Sequence, residues 1–281
     1  MSADLQPSIS ESTILKAALN YTRNTGIRPV NYTFDPPPGV PRNSGEVDSQ
    51  SVTIRNARQT AGLKLDVSGF EMIEHQSSLT EWNSFQDSTL TKDVDYPEVI
   101  AALKTHTGAE KVIIFDHTLR DSTMRPGNDN QLREAVRRVH NDQTLDSAPR
   151  RVAKHFTPDE AEWRLRRRFA IINFWRPVTG PVLQTPLALC DARTIDPEDL
   201  IPSDLVYREW TGETYGVAYS PSHRWYWYPR QLPSEATLIK IYDSATDGPA
   251  RLSAHTAFDD PRSAPDAPAR RSIEIRAIAF W

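Results

Sequence analysis

Apolar residues recur along this chain in short runs, most of them with the period of two that puts alternate side chains on one face of a strand. Leu63–Val67 alternates apolar and polar positions strictly and predicts a strand, and Val52–Arg55 predicts another. Lys111–Phe115 and Phe169–Trp175 add two more. Further on, Leu187–Cys190, Val217–Tyr219, Trp225–Tyr228, Thr237–Tyr242 and Ile273–Phe280 are short and rich in aromatic and β-branched residues. Three stretches carry helical spacing instead. Ser12–Asn20 predicts a short helix with Ile14, Leu15, Ala18 and Leu19 on one face. A second helix is capped by Asp95, takes Pro97 in its first turn, shows the stripe Val99, Ile100 and Leu103, and stops at Gly108. The third opens on Thr157–Glu160, which has capping-box spacing with proline at the first helical position, and runs toward Arg168. Many short strands so spaced predict a sandwich or barrel, of which a jelly roll is one form.

Composition narrows this picture. The chain has 22 prolines against 11 glycines. Proline is excluded from helix interiors and central strands, so the count argues for many loops and against a helical bundle. A β fold of 281 residues is expected as one unit. Residues 1–50 read as an N-terminal arm and proline-rich loop, with a weakly helical start and a stiff Asp35–Gly39 segment; residues 51–281 read as the β domain. There is no internal repeat. A formal net charge of −4 gives little attraction to nucleic acid or anionic membrane. The arginines at 164, 166, 167 and 168 fit a solvated helix face. Cys190 is the single cysteine, which excludes an internal disulfide and a thiolate metal cluster, and its apolar setting fits a small buried hydrophobe. No secretory leader or membrane span is expected, and a reducing, cytoplasmic compartment fits.

The candidate chemistry lies in the histidines. Among seven, only His140 is followed two positions later by an acid, in His140–Asp142. With 37 acids in 281 residues, one such match is expected by chance, so the motif carries weight only through its setting. Side chains at i and i+2 share a face of a strand. Two imidazoles and one carboxylate on one face are the donor set of a mononuclear iron oxygenase, whose open positions take 2-oxoglutarate and O2. His255 supplies the second imidazole, 113 residues after Asp142. Arg270 follows fifteen residues later, with Ser272 two beyond it. A guanidinium can bind the distal carboxylate of 2-oxoglutarate in two-pronged fashion, and a hydroxyl adds a third hydrogen bond. Arg270, Ser272, Glu274 and Arg276 share one face of the last strand, so either arginine can take that role while Glu274 holds the other.

At these residues the chain resembles the fungal hydroxylase/desaturase family of non-haem iron, 2-oxoglutarate-dependent enzymes. That family includes relatives of the small cephem-methoxylase subunit and tailoring oxygenases of secondary metabolism. The likeness rests on Val139–Thr144, Ile172–Pro177, Lys240–Ser244, His255–Pro261 and Arg270–Arg276, in that order, and spans roughly residues 50–281. It implies a fold that is mainly β with flanking helices: a double-stranded β-helix, jelly roll and cupin-like. It implies Fe(II) on His140, Asp142 and His255, with 2-oxoglutarate as co-substrate and O2 as oxidant.

Other residues divide between pocket and packing. Asn173, Trp175, Lys240 and Tyr242 are candidate substrate contacts, with core packing the alternative for Trp175. Trp225–Tyr228 fits core. His117 is a second-choice ligand and reads as a loop histidine. Tyr207, Glu213 and Tyr215 fall in a loop-rich stretch that fits a lid or plain surface. Three functions stay open on the residues alone: an oxygenase hydroxylating, desaturating or closing rings in a small molecule; a cupin-like metalloenzyme, such as an isomerase, without 2-oxoglutarate; and a metal-free jelly-roll binding protein. A small organic substrate, neither protein nor nucleic acid, fits the aromatic and polar loops.

Overall fold

The computed structural model describes residues 13–123 and 132–281, and among them fifteen strands. In chain order these are β1 (Ile14–Thr22), β2 (Val30–Tyr32), β3 (Val47–Asn56), β4 (Phe70–Glu74), β5 (Lys111–Asp121), β6 (Leu132–Arg133), β7 (His140–Asn141) and β8 (Phe169–Pro177). They continue as β9 (Leu187–Cys190), β10 (Leu200–Val206), β11 (Thr211–Val217), β12 (Trp225–Trp227), β13 (Glu235–Asp243), β14 (His255–Ala257) and β15 (Arg271–Phe280). One sheet has nine strands in the order β1-β3-β12-β9-β14-β7-β11-β10-β2, and the other has six in the order β4-β13-β8-β15-β5-β6. The α-helices are α1 (Trp82–Gln86), α2 (Ser88–Leu90), α3 (Tyr96–Thr107), α4 (Ser147–Ala153) and α5 (Pro158–Leu165). The expected jelly roll with flanking helices is what forms.

Alternation along β8 shows how the layers arise. Phe169, Ile171 and Trp175 point between the sheets, where they meet Ile239, Ile241 and Ile278 of the same sheet and Leu189 and Tyr226 of the other. Ala170, Ile172 and Phe174 point the opposite way and pack under α1 and α3 with Phe85, Val99 and Leu103. A strand covered on both faces needs apolar residues at successive positions, which is why Phe169–Trp175 reads as a nearly unbroken run. Each fully buried Phe, Ile or Leu contributes roughly 1.5–3 kcal/mol.

The nine-stranded sheet curls until β1 crosses β7 and β11. Val139 N donates to Asn20 O at 2.8 Å, and a third apolar cluster unites Leu15, Leu19 and Tyr21 with Val139, Val217 and Trp225. At the crossing, a Cβ on Gly216 would lie 2.7 Å from Thr22 Oγ1. Gly216 pairs with His140, so this glycine lets β1 press on the strand pair that carries the histidine.

Several expectations change. Residues 14–22 form a strand antiparallel to β3, not a helix, and residues 30–32 add a second strand to the larger sheet, so this stretch of the expected arm is sheet. Leu15, Ala17, Leu19 and Tyr21 are buried while Ile14, Lys16 and Ala18 face outward, so the period is two. Leu63–Val67 makes turns, although Leu63 and Leu65 are buried as their spacing requires. Val67 N and Ser68 N both donate to Lys64 O, and the strand starts only at Phe70. Helix α3 ends at Gly108 in the left-handed region as expected, but Asp95 does not cap it, because its carboxylate is taken by Arg176. The stretch from Leu200 to Val217, expected to be mostly loop, is the β10–β11 hairpin. Cys190 and Trp225–Trp227 are buried, as expected.

Candidate functional site

Strands β7 and β14 lie side by side between β11 and β9, and their register sets His140 opposite His255. The two rings lie 4.4 Å apart between centroids. Asp142 follows just past the end of β7, with Oδ1 3.3 Å from His140 Nε2. Two atoms bound at about 2.1 Å to one transition-metal ion stand at such a separation. One ligand atom from each of the three residues lies within 4.8 Å of the others.

The surroundings prepare each donor. His140 Nδ1 lies 2.7 Å from Arg138 O, so Nδ1 carries the proton and Nε2 the lone pair. His255 is buried, and among the described residues its ring nitrogens make no close hydrogen bond, with only the Ser253 backbone acting weakly on the ring. Burial, with His140 beside it, lowers its pKa to about 4, which keeps the ring neutral near pH 7. Burial alone would raise the Asp142 carboxyl, but the Arg276 guanidinium and His140 hold it well below the usual carboxylate range. Asp142 Oδ2 accepts from Arg276 Nε at 3.0 Å and from Asn173 Nδ2 at 2.9 Å. This leaves Oδ1 as the free ligand atom. An unpaired buried histidine is costly unless something binds it, and two imidazoles with an oriented carboxylate suit a non-haem Fe(II) centre.

Arg270 and Arg276 differ sharply. Arg276 also bonds Glu274, Asp116 at 3.2 Å and Thr118 at 2.9 Å, and these acids raise its pKa against burial. Arg270 is buried with no carboxylate partner among the described residues. Its Nη1 donates to Thr185 O at 2.6 Å, its Nε has no partner, and the Ser272 hydroxyl beyond it is also unpartnered. Burial, then Arg120 and Arg137, lowers the Arg270 pKa to about 9. Trp175 lies under its guanidinium, 5.5 Å from Cζ to ring centroid. A lowered pKa marks a cation that lacks its anion.

A cavity of about 760 Å³ opens onto His140, Asp142 and Arg276. Tyr207, Trp210, Glu213 and Tyr215 line it, whereas Trp225 lies in the apolar core. Of the expected substrate contacts, Asn173 instead holds Asp142, and Trp175 belongs to the inter-sheet core. Lys240 and Tyr242 do not reach the cavity. The Lys240 ammonium pairs with Asp243 at 2.8 Å and with Asp66, and Tyr242 stacks on Phe169 at 5.2 Å. The pairing shifts between Lys240 and Tyr242, a bulge that strict alternation does not foresee. His117 lies on β5 and its Nδ1 hydrogen-bonds Tyr96 Oη at 2.7 Å. The Asp142 partners Asn173 and Arg276 could be read as a pocket residue and a co-substrate arginine from spacing alone; nothing local marks them as its supports.

A jelly roll with two facing imidazoles and a carboxylate, His140 and Asp142 on the wall of a cavity, fits the class of non-haem iron oxygenases. The family described as oxidoreductase/YMDC permease-like domain matches residues 19–280. The alpha-ketoglutarate-dependent dioxygenase phiK from a fungal species is 35% identical over 243 residues, 84% of this chain and 85% of its own length. The Fe(II)/2-oxoglutarate-dependent dioxygenase nvfI of Aspergillus novofumigatus is 32% identical, covering 89% of this chain and 90% of its own. A solved variant of the iron and alpha-ketoglutarate-dependent endoperoxidase NvfI superposes with a TM-score of 0.88 at 29% identity, over 96% of this chain and 98% of that one. The chain belongs to this Fe(II)/2-oxoglutarate-dependent hydroxylase/desaturase family, and the oxygenase is the reading of the three that stands. No described helix is long and apolar enough to cross a membrane.

Proposed function

We propose that His140, Asp142 and His255 hold Fe(II), that Arg270 with Ser272 binds the distal carboxylate of 2-oxoglutarate, and that the adjoining cavity takes a small organic substrate. The observation that carries the metal assignment is His255, a buried imidazole whose nitrogens make no close hydrogen bond among the described residues, set opposite His140 by strand register. When bound, iron with 2-oxoglutarate and O2 supplies the oxidation of an unactivated carbon. The chain supplies the rest. Arg138 O fixes the His140 tautomer, Arg276 and Asn173 aim Asp142, and the dry setting of His255 keeps its lone pair free. Arg270 and Ser272 offer the unsatisfied donors that a carboxylate needs, in a position that Trp175 shields from water. Whether hydroxylation, desaturation or ring formation results depends on the pose in which the cavity holds the substrate. A secondary-metabolite intermediate or modified amino acid suits its mixed aromatic and polar wall. The test is succinate release on 2-oxoglutarate with Fe(II) and ascorbate, coupled to oxidation of a small metabolite. Coupled oxidation of a peptide or oligonucleotide, with none of any metabolite, would overturn the substrate class.

A further inference from the structure

Eight cationic side chains but only four carboxylates line the cavity among the described residues. Most of this charge is spoken for. Arg276 serves Asp142, and Arg150 lies 3.6 Å from Glu213, which also bonds Arg28 and Thr144. Arg138 is held by the carbonyls of Gly45 and Glu46, and Arg133 lies on the same wall with no carboxylate within 4 Å among the described residues. Arg151 and Lys154, one helical turn apart on and just after α4, have no carboxylate within 4 Å among the described residues. The nearest acid acting on Arg151, Asp116, is engaged by Arg276 at 3.2 Å.

Both cations are instead held over aromatic rings. Lys154 Nζ sits 3.6 Å from the Trp210 centroid, and Arg151 Cζ lies 5.3 Å from Trp210 and 5.2 Å from Phe115. Trp210 is itself stacked on Tyr207, with centroids 4.2 Å apart and planes at 12°. Tyr207 N donates to Trp210 O at 2.9 Å, so the turn between β10 and β11 fixes this platform. Burial lowers the pKa of Arg151; Lys154 is exposed at the cavity rim, where slight desolvation and the neighbouring Arg151 and Arg150 lower its pKa. Ring faces offset part of the lost hydration but form no hydrogen bonds to the donors. A guanidinium and an ammonium converging on one aromatic shelf, with donors to spare, make a site for an anion attached to a flat or apolar body.

We propose that the substrate of this enzyme is an organic acid, its carboxylate taken by Arg151 and Lys154, which cover one face of Trp210, while its apolar body lies along the cavity wall beside Tyr207, which covers the other. This rests on the oxygenase reading above and adds the substrate class to it. The carboxylate is placed at the cavity wall and not at the metal, so it selects the substrate and orients the rest of it toward His140 and Asp142.

The test is a fluorescence-anisotropy titration of the iron-loaded protein, anaerobic and saturated with 2-oxoglutarate, using the acid pyrenebutyrate against its neutral analogue pyrenebutanol. Wild type is expected to bind the acid about ten-fold more tightly than the alcohol. Arg151→Gln and Lys154→Gln are each expected to cut that preference, and the double variant to abolish it, with pyrenebutanol affinity unchanged in all three. Equal binding of acid and alcohol to wild type overturns the proposal, as does a preference that survives in the double variant. In a parallel titration begun without 2-oxoglutarate, displacement of pyrenebutyrate when 2-oxoglutarate is added also overturns it, by assigning these cations to the co-substrate. Because the titration reads affinity and not turnover, its failure is distinct from failure of the metal assignment, which shows as loss of stoichiometric iron.

Discussion

Two clusters of histidine and carboxylate lie on opposite faces of the six-stranded sheet, and only one of them is built as a metal centre. On the inner face stand His140, Asp142 and His255; under the helices stand His75, Asp95 and Glu98, again with ligand atoms within 4.8 Å of one another. Each contains buried, unpartnered polar atoms. The helix-side cluster carries its own cation. Arg176 Nη2 donates to Asp95 Oδ1 at 2.7 Å with both side chains buried, and Ser78 N ties Glu98 to the loop after β4 at 3.0 Å. Its single histidine packs edge-on against Phe174 at 4.8 Å, and none of its members lines the cavity. The inner cluster has two facing imidazoles, a carboxylate aimed by neighbours and an open approach. A donor set becomes a metal site where solute can reach it and where the protein has not already filled it with a guanidinium.

The sharpest way to break this contrast is Asp142→Ala, which should lower turnover by roughly 10³-fold, since metal catalysis supplies several kcal/mol of barrier reduction. Coupled succinate and product assays measure it, with metal content showing the cause. Asp95→Ala should do the reverse. It strands the buried Arg176 charge and should cost about 3–5 kcal/mol of stability, read as a lower Tm and urea midpoint, while iron stoichiometry at low temperature stays at one per chain. Loss of a second metal equivalent in Asp95→Ala would make the helix-side cluster a metal site and end the distinction. Next comes the arginine pair. Arg270→Leu should raise the KM for 2-oxoglutarate by about 10- to 100-fold, because charge-assisted hydrogen bonds contribute about 1.5–3 kcal/mol. An unchanged KM would return the role to Arg276. The smallest effect is expected from Asn173→Ala, which removes one of the two groups aiming Asp142 and should weaken Fe(II) binding by about ten-fold in a metal titration. A change confined to the substrate KM would make Asn173 a pocket residue after all.

Much of this was legible in the residues, for reasons of spacing. His140 and Asp142 share two-residue spacing, a weak signal by itself that gained weight from the order of His255 and Arg270 after it and from the family likeness; the structure brings His140, Asp142 and His255 together. Helix α3 declared itself by its stripe and by Gly108, and α5 by Thr157, whose hydroxyl accepts from Glu160 N. Those are local signals, written within one turn of chain.

What the tertiary structure decided is non-local. In residues 14–22 the apolar positions satisfy a helical face or an alternating one, and pairing with β3, whose partners lie 25 (Thr22↔Val47) to 41 (Ile14↔Arg55) residues further on, settles the matter. Lys240 looks like a pocket cation until Asp66 and Asp243 claim it. Arg270 and Arg276 are indistinguishable six residues apart, and only β5, β7 and the bend of β15 give one of them four polar partners and the other a lone carbonyl. The charge on Arg151 and Lys154 is likewise left without a carboxylate by the way the described acids pair elsewhere. Donor identity belongs to the residue and can be read from it; whether a charge is satisfied depends on which distant strand arrives beside it.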